Sequence, residues 1–475
     1  MNAALLIDFG STYTKLRAVD LDRPAILAAG QAPSTVETDI TRGMELALAD
    51  LTSRLGQLPA FRYRLACSSA AGGLRMVTVG LVRELTAEAA RKAALGAGAR
   101  LVGTFAQHLT SADIADIEKL SPDILLLAGG TDGGNREVIV HNAGALANSL
   151  LTCPLVVAGN RVAGDDIAAI FDAAGKSAKI CENVMPEFGQ LNVEPARDAI
   201  REIFINRIVH AKGIDRASGM FDQVLMPTPA AVMEGARLLS EGHDGVPGLG
   251  ELMVIDVGGA TTDVHSVADG EPVKGGVIRR GLPDPRIMRT VEGDLGMRHN
   301  AGGIVSAAGL DAIAQRAGLT IEHTEKIVKT ISGETAHLPS NDNERAVDHA
   351  LARAAVAGAV RRHAGVTETV YTINGPATIQ RGKDLSGVRA VIGTGGILAH
   401  GEPAVDVLRA SLADDADPFS LRPIQPQLWL DKNYMLFAVG LLGRVAPQAA
   451  VALGMSQLEP IGEAGAYEPG SIAGG

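Results

Sequence analysis

Cysteine and aromatic residues are scarce in this chain, and basic residues are outnumbered by acidic ones. Its three cysteines, Cys67, Cys153 and Cys181, are far apart and odd in number, so they show neither a disulfide framework nor a zinc-ligand spacing. They read as buried thiols. Aromatics make up 3% of the residues and the net charge is -11, which argues against nucleic acid, since gripping a phosphate backbone needs a basic and often aromatic surface. No segment approaches the roughly 20 apolar residues that a membrane span needs. The first apolar run contains Asp8 and is not preceded by a basic stretch, unlike a secretory signal. These absences predict a cytoplasmic protein with no membrane or nucleic-acid partner. Other motifs are also missing. Gly175, Lys176 and Ser177 resemble the end of a P-loop, but Ile170 stands where its first glycine belongs. There is no H-E-x-x-H, and the histidines do not cluster; His265 reads as a packed residue rather than a base, and Trp429 as core.

Glycine turns after apolar strands are what the chain has instead. LLIDFGSTYTK, from Leu5 to Lys15, runs a buried strand into Asp8, Gly10, Ser11 and Thr12 and ends on Lys15. Gly10 permits a tight turn, the hydroxyls and free N–H groups of that turn suit a phosphate, and Asp8 suits a metal. Alone, such a turn equally fits an ordinary hairpin. A second copy, LMVIDVGGATTDV from Leu252 to Val264, delivers Asp256 into Gly258, Gly259, Thr261 and Thr262, followed by Asp263. A third strand leads into Gly393, Thr394, Gly395 and Gly396, where the missing side chains would let a flat ring lie on the backbone. Two phosphate-like turns about half a chain apart predict two like domains facing one nucleotide. Asp8, Asp256 and Asp263 would then converge, and like charges a few ångströms apart repel by roughly 1 kcal/mol per pair even in water. A magnesium ion with ATP phosphates offsets that repulsion and prefers such oxygens. Lys15 either contacts the phosphates or solvates the strand end. A further glycine turn, ILLLAGGTDGGN from Ile124 to Asn135, places Asp132 at a strand exit, as an acid or base or as a plain Asp-Gly turn.

Strand-like and helix-like runs alternate along the chain, which predicts an α/β fold. Strands are expected near Leu5–Asp8, Arg64–Cys67 and Ile124–Leu127. Helices are expected over Leu81–Leu95, Pro195–Ala211, Ala346–Arg362 and Tyr434–Leu442. The Gly/Pro-rich stretch Glu241–Gly250 marks a boundary, giving an N-terminal lobe of residues 1–245 and a C-terminal lobe of residues 246–455. Residues 456–475 carry too little apolar content to pack and read as a mobile tail.

The order of the three turns resembles the phosphate-1, phosphate-2 and adenosine motifs of the actin, Hsp70 and sugar-kinase ATPase superfamily. That resemblance implies a two-lobed fold of duplicated ribonuclease H-like domains with a nucleotide cleft between lobes. At finer grain the chain resembles the MutL/GlmL family associated with adenosylcobalamin-dependent glutamate mutase, through LLIDFGSTYTK, SPDILLLAGGTDGGN, VIDVGGATTDV, RTVEGDLGMR (Arg289–Arg298) and DKNYMLFAVGLL (Asp431–Leu442). This likeness spans nearly the whole chain up to about Gly454. It implies an ATP-binding accessory protein, chaperone-like or reactivating, with a cobalamin-dependent mutase as client. Asp8 and Asp256 would hold magnesium through water, Asp263 would orient the attacking water, Gly10–Thr12 and Gly258–Thr261 would cradle phosphates, and Gly395 and Gly396 would contact adenosine. Two other readings stay open: a small-molecule kinase with Asp132 as base, and an actin-like structural protein. The segment Thr290–Gly296 reads equally as part of the cleft, as a contact loop or as a plain solvated loop.

Overall fold

The computed structural model describes residues 2–10, 13–35, 39–69, 74–211, 221–334, 337–373, 375–401 and 404–463. The chain divides into two compact units. Unit 1 comprises Met1–Leu238, Gly281–Pro285 and Leu436–Leu453; unit 2 comprises Leu239–Arg280, Arg286–Met435 and Gly454–Gly475. The polypeptide therefore passes between units several times, where a boundary near residue 245 implies one passage. The passage near residue 240 coincides with the Gly/Pro-rich stretch.

Among the described residues, unit 1 contains ten strands. The first five are β1 Ala3–Phe9, β2 Tyr13–Asp20, β3 Ala25–Pro33, β4 Phe61–Ser68 and β5 Leu74–Gly80. The others are β6 Ala99–Ala106, β7 Ile124–Leu127, β8 Leu155–Val157, β9 Ala178–Ile180 and β10 Gln223–Pro227. One sheet runs β10-β4-β1-β2-β3, with β1, β2 and β3 antiparallel and with β4 and β10 parallel to β1. Every residue of β1 is buried, as expected of a strand covered on both faces, where alternation gives way to a continuous apolar run. Leu5, Ile7 and Phe9 share a core with Met44, Ala47 and Leu51 of the helix Ile40–Leu55, whose N-cap Asp39 accepts from Thr41 N–H. The helix Thr228–Glu241 meets the wholly buried helix Leu436–Leu442 through Gly235 and Gly440; a β-carbon on Gly440 would collide with the Ala231 carbonyl oxygen. The second sheet, β6-β5-β7-β8-β9, is entirely parallel. Val77, Val79, Leu125, Leu127, Leu155 and Val157 build its core with Phe171. Where a single helix is expected over Leu81–Leu95, a π-helical turn, Arg83–Ala87, precedes an α-helix, Glu88–Gly96.

Unit 2 opens with a hairpin of β11 Gly242–His243 and β12 Val246–Pro247, turned by Asp244 and Gly245 at φ 38° and 85°. Two successive positive φ values are the signature of a two-residue hairpin loop. The remaining strands are β13 Leu252–Val257, β14 Thr262–Val267, β15 Val277–Arg279, β16 Ile287–Glu292, β17 Val366–Thr372 and β18 Gly375–Arg381. After them come β19 Ala390–Thr394, β20 Gln427–Leu430 and β21 Glu459–Glu463. The main sheet runs β16-β14-β13-β19-β20-β21. β13, β14 and β16 are antiparallel, and β19 and β20 run parallel to β13. This repeats the order and directions of β1, β2, β3, β4 and β10, so the two units are copies of one ribonuclease H-like plan. The helix Asp342–His363, capped by Asn341 accepting from Glu344 N–H, covers the unit 2 sheet with Leu351, Val356 and Val360. β21 pairs antiparallel with β20, so residues 459–463 are a strand where a mobile tail is expected. The rest of that tail, residues 464–475, lies outside the described residues. Among the described residues no helix is long and apolar enough to cross a membrane.

Candidate functional site

In unit 1, β1 carries Asp8 to the sheet's edge and the chain reverses into β2, placing Asp8 directly opposite Lys15. Paired cross-strand residues project from the same face, and Lys15 Nζ stands 3.7 Å from Asp8 Oδ2. The reversal is closed by Gly10 N–H donating to Tyr13 O at 3.1 Å. A β-carbon at Gly10 would lie 2.6 Å from that oxygen and 3.4 Å from Asp8 Oδ2, so glycine is required there. Asp8 is 3% exposed. Its other oxygen, Oδ1, accepts from the Thr228 hydroxyl at 2.6 Å and faces Cys67 Sγ at 3.6 Å. Burial, and then the charge of Asp8, push the Cys67 thiol well above its usual range, so it remains protonated as a weak donor. Ser11 and Thr12 lie outside the described residues.

The unit 2 turn has the same construction. Gly258 N–H donates to Thr261 O at 3.0 Å, a β-carbon at Gly258 would lie 2.9 Å from that oxygen, and Asp256 pairs across the strands with Asp263. The position held by Lys15 in unit 1 is thus held by a carboxylate. Its charge is offset by Arg289 of β16, whose Nη2 donates to Asp263 Oδ2 at 2.6 Å. Asp263 Oδ1 is buried, and among the described residues it has no hydrogen-bond partner. Gly259 is exposed, whereas Thr262 is buried and its hydroxyl donates to Leu295 O at 2.7 Å. The segment after β16 braces the turn: Met297 N–H donates to Gly258 O at 3.0 Å, and Arg298 N–H donates to Gly259 O at 2.8 Å. Arg298 is itself clamped by Asp348 through two hydrogen bonds of 2.6 and 3.0 Å. The segment Thr290–Gly296 therefore leads into a backing for the turn. His265 is buried, and burial followed by the nearby Arg289 charge depresses its pKa well below the usual value, as befits a packed residue rather than a base.

The third glycine turn adjoins Asp256. β19 runs parallel to β13 with Thr394 beside Asp256, and Gly395, at φ 98°, would bring a β-carbon within 2.9 Å of Asp256 Oδ1. Gly396 is exposed, and a side chain there would stand 4.0 Å from the Tyr434 hydroxyl. Tyr434 has φ 51°, a conformation a bulky residue seldom adopts, and its ring lies 6.0 Å from that of His400. Gly393 is buried, and its missing side chain accommodates Leu408, since a β-carbon would lie 2.8 Å from the Leu408 Cδ1 atom. It serves packing.

Asp132 belongs to the parallel sheet of unit 1, after β7. Its Oδ1 accepts from Arg161 N–H and Asn183 Nδ2, each at 3.0 Å, and its own N–H donates to Pro186 O at 2.9 Å. The carboxylate ties together the loops leaving β7, β8 and β9, on a different sheet from Asp8. The structure also supplies residues that the sequence reading misses: Thr228, Cys67 as a neighbour of Asp8, and Arg289. Thr228 carries one local signal, a Thr-Pro step opening a helix after a strand. Among the described residues no group of three or more His, Cys, Asp or Glu side chains is arranged to hold a metal.

The MutL protein family model matches residues 4–458 of the chain. Protein MutL of Clostridium tetanomorphum is 48% identical over 454 residues, spanning 95% of this chain and 98% of that protein. Gluconate kinase from Lactobacillus acidophilus aligns with 97% of this chain and 93% of its own, at 11% identity and a TM-score of 0.37. A glycerol dehydratase reactivase aligns over 93% and 99% at 10% identity and a TM-score of 0.36. The activator of the 2-hydroxyisocaproyl-CoA dehydratase from Clostridium difficile, with bound ADPNP, aligns over 96% and 97% at 9% identity and a TM-score of 0.31.

Proposed function

Because this chain belongs to the MutL protein family, we propose that it is an ATP-binding, slowly ATP-hydrolysing accessory protein acting on an adenosylcobalamin-dependent mutase such as glutamate mutase, in its reactivation or assembly. The observation that carries the nucleotide reading is the repeated turn. Two units of one strand plan each end their central strand in Asp-x-Gly, close the reversal with the same glycine N–H to carbonyl bond, and set a charged residue across from the aspartate.

In this reading the unit 1 turn binds phosphate through its backbone, with Lys15 supplying positive charge and Asp8 Oδ2 turned toward the turn. In unit 2, the exposed Gly259 offers backbone to phosphate, Asp263 orients the attacking water through its Oδ1, and Arg289 keeps the Asp256–Asp263 pair tolerable. Gly395 and Gly396 contact the adenosine. In each turn the aspartate, Asp8 in unit 1 or Asp256 in unit 2, is the carboxylate that would hold a magnesium ion, which binds through one or two carboxylates plus waters and phosphates rather than a protein cage. When bound, the ion neutralises phosphate charge. Phosphoryl transfer then asks the protein for positioning and charge stabilisation. The kinase alternative needs Asp132 as its base, and that carboxylate already accepts two hydrogen bonds in a loop clasp.

The test is calorimetric and kinetic. Mg-ATP should raise the unfolding temperature, since a ligand at 100 times its Kd stabilises the folded state by about 2.7 kcal/mol. Asp8→Ala and Asp256→Ala should each abolish hydrolysis while leaving the fold intact. A folded wild-type protein with no thermal shift in millimolar Mg-ATP refutes the nucleotide reading.

A further inference from the structure

Resting on the proposed role of Asp8, we infer that Thr228 is a positioning residue for that carboxylate: its hydroxyl fixes Asp8 Oδ1 and thereby dedicates Oδ2 to the magnesium-bound nucleotide at the Gly10 turn. Thr228 lies 220 residues from Asp8 in sequence, yet the hydrogen bond between them is 2.6 Å. The sheet order explains the meeting. β4 is parallel to β1 with Ser68 beside Phe9, and β10 is parallel to β4 with Pro227 beside Ser68, so all three strands end at the same edge. Thr228 is the first residue of the helix that follows β10. Pro229 next to it lacks an N–H that a helix's first turn would leave unpaired anyway. The carboxylate therefore also meets the positive end of a helix dipole.

The two oxygens of Asp8 have unlike surroundings. Oδ1 faces inward to the Thr228 hydroxyl and the Cys67 thiol. Oδ2 faces Lys15 Nζ and the space that a side chain at Gly10 would occupy. A carboxylate that can rotate offers either oxygen; one whose Oδ1 is held by a short hydroxyl bond offers the other in one direction. Cys67 cannot replace Thr228, because a thiol 3.6 Å from Oδ1 is a weak donor and its Sγ stands equally close to the Ile7 carbonyl oxygen. Losing the hydroxyl should therefore loosen the grip on the metal–nucleotide complex without removing the carboxylate's charge.

The experiment compares wild type with Thr228→Val, Thr228→Ser and Asp8→Ala. The readouts are ATP turnover as a function of magnesium concentration and ATP affinity in EDTA. Thr228→Val is expected to lower turnover by at least tenfold and to raise the magnesium needed for half-maximal turnover severalfold, with metal-free ATP affinity within twofold of wild type. Thr228→Ser should restore both magnesium-dependent quantities. Should the valine variant fold poorly, Thr228→Ala against Thr228→Ser isolates the hydroxyl at a common side-chain size. Asp8→Ala inactive beside Thr228→Val (or Ala) with wild-type turnover and magnesium requirement overturns this inference alone. Asp8→Ala with wild-type turnover overturns the Asp8 assignment on which it rests.

Discussion

Arg289 is the residue on which the unit 2 site turns. Asp256 and Asp263 stand directly opposite on neighbouring strands, an arrangement that destabilises a sheet when both are charged. The Arg289 guanidinium, 5% exposed, lies against Asp263 and absorbs that cost. Arg289→Met should destabilise the protein by about 3–5 kcal/mol, because it strands a largely buried carboxylate. Arg289→Met combined with Asp263→Asn should recover much of that loss, as read from urea midpoints. Two buried histidines set a pH dependence in the same unit. His265 is depressed by burial and then by Arg289; His363 is depressed by burial, then by Lys383 and His265. His363 Nε2 lies 2.8 Å from Ser266 Oγ and its Nδ1 lies 2.9 Å from Thr290 Oγ1. Both rings stay neutral in the folded state, while in the unfolded chain they take up protons below about pH 6.5. Their contribution is therefore complete above that pH and falls as the pH drops. Each should forfeit stability progressively as the pH falls below that value. His363→Gln should flatten the slope of stability against pH between 7.5 and 5.5, and an unchanged slope would remove His363 from the account.

At the scale of elements, the central strands were readable because burial on both faces leaves a continuous apolar run ending in Asp-x-Gly, as in β1 and β13. The strand Ile124–Leu127, buried throughout, was readable from its apolar run and the glycines that follow it. β8 and β9 are three residues each, too short to show any periodicity, so the parallel sheet of unit 1 is hidden in the sequence. Thr228 was hidden differently, since no local pattern reports that the ends of β1, β4 and β10 lie side by side. Gly393 shows the converse: a glycine in a motif reads as a ligand contact until Leu408 is seen filling its place. β21 was missed because composition argues against packing, whereas an unpaired edge on β20 supplies a ladder that propensity cannot foresee. A chain ending at residue 458 should accordingly be less stable and more prone to aggregate than one ending at residue 463, because it bares the β20 edge. Equal urea midpoints and equal light scattering for the two would show that β21 protects nothing.

For the whole molecule, the duplicated plan matters because a nucleotide can serve a partner only if it binds two states of the protein unequally. If ATP and ADP change the affinity for a mutase by some factor, the mutase must change the ratio of ATP and ADP affinities by the same factor. That reciprocity gives a quantitative prediction. With purified adenosylcobalamin-dependent mutase carrying inactivated cofactor, basal hydrolysis should rise, since product release or conformational opening commonly limits such slow turnover. The factor separating mutase affinity in ATP from that in ADP should equal the factor by which mutase shifts the ATP-to-ADP affinity ratio. Label on the γ-phosphate should appear as free phosphate. Label appearing on a small hydroxylated or carboxylated metabolite would make the protein a kinase instead. A mutase that alters neither the hydrolysis rate nor either affinity, and is itself not recovered, would leave the nucleotide turns in place but take away the proposed client.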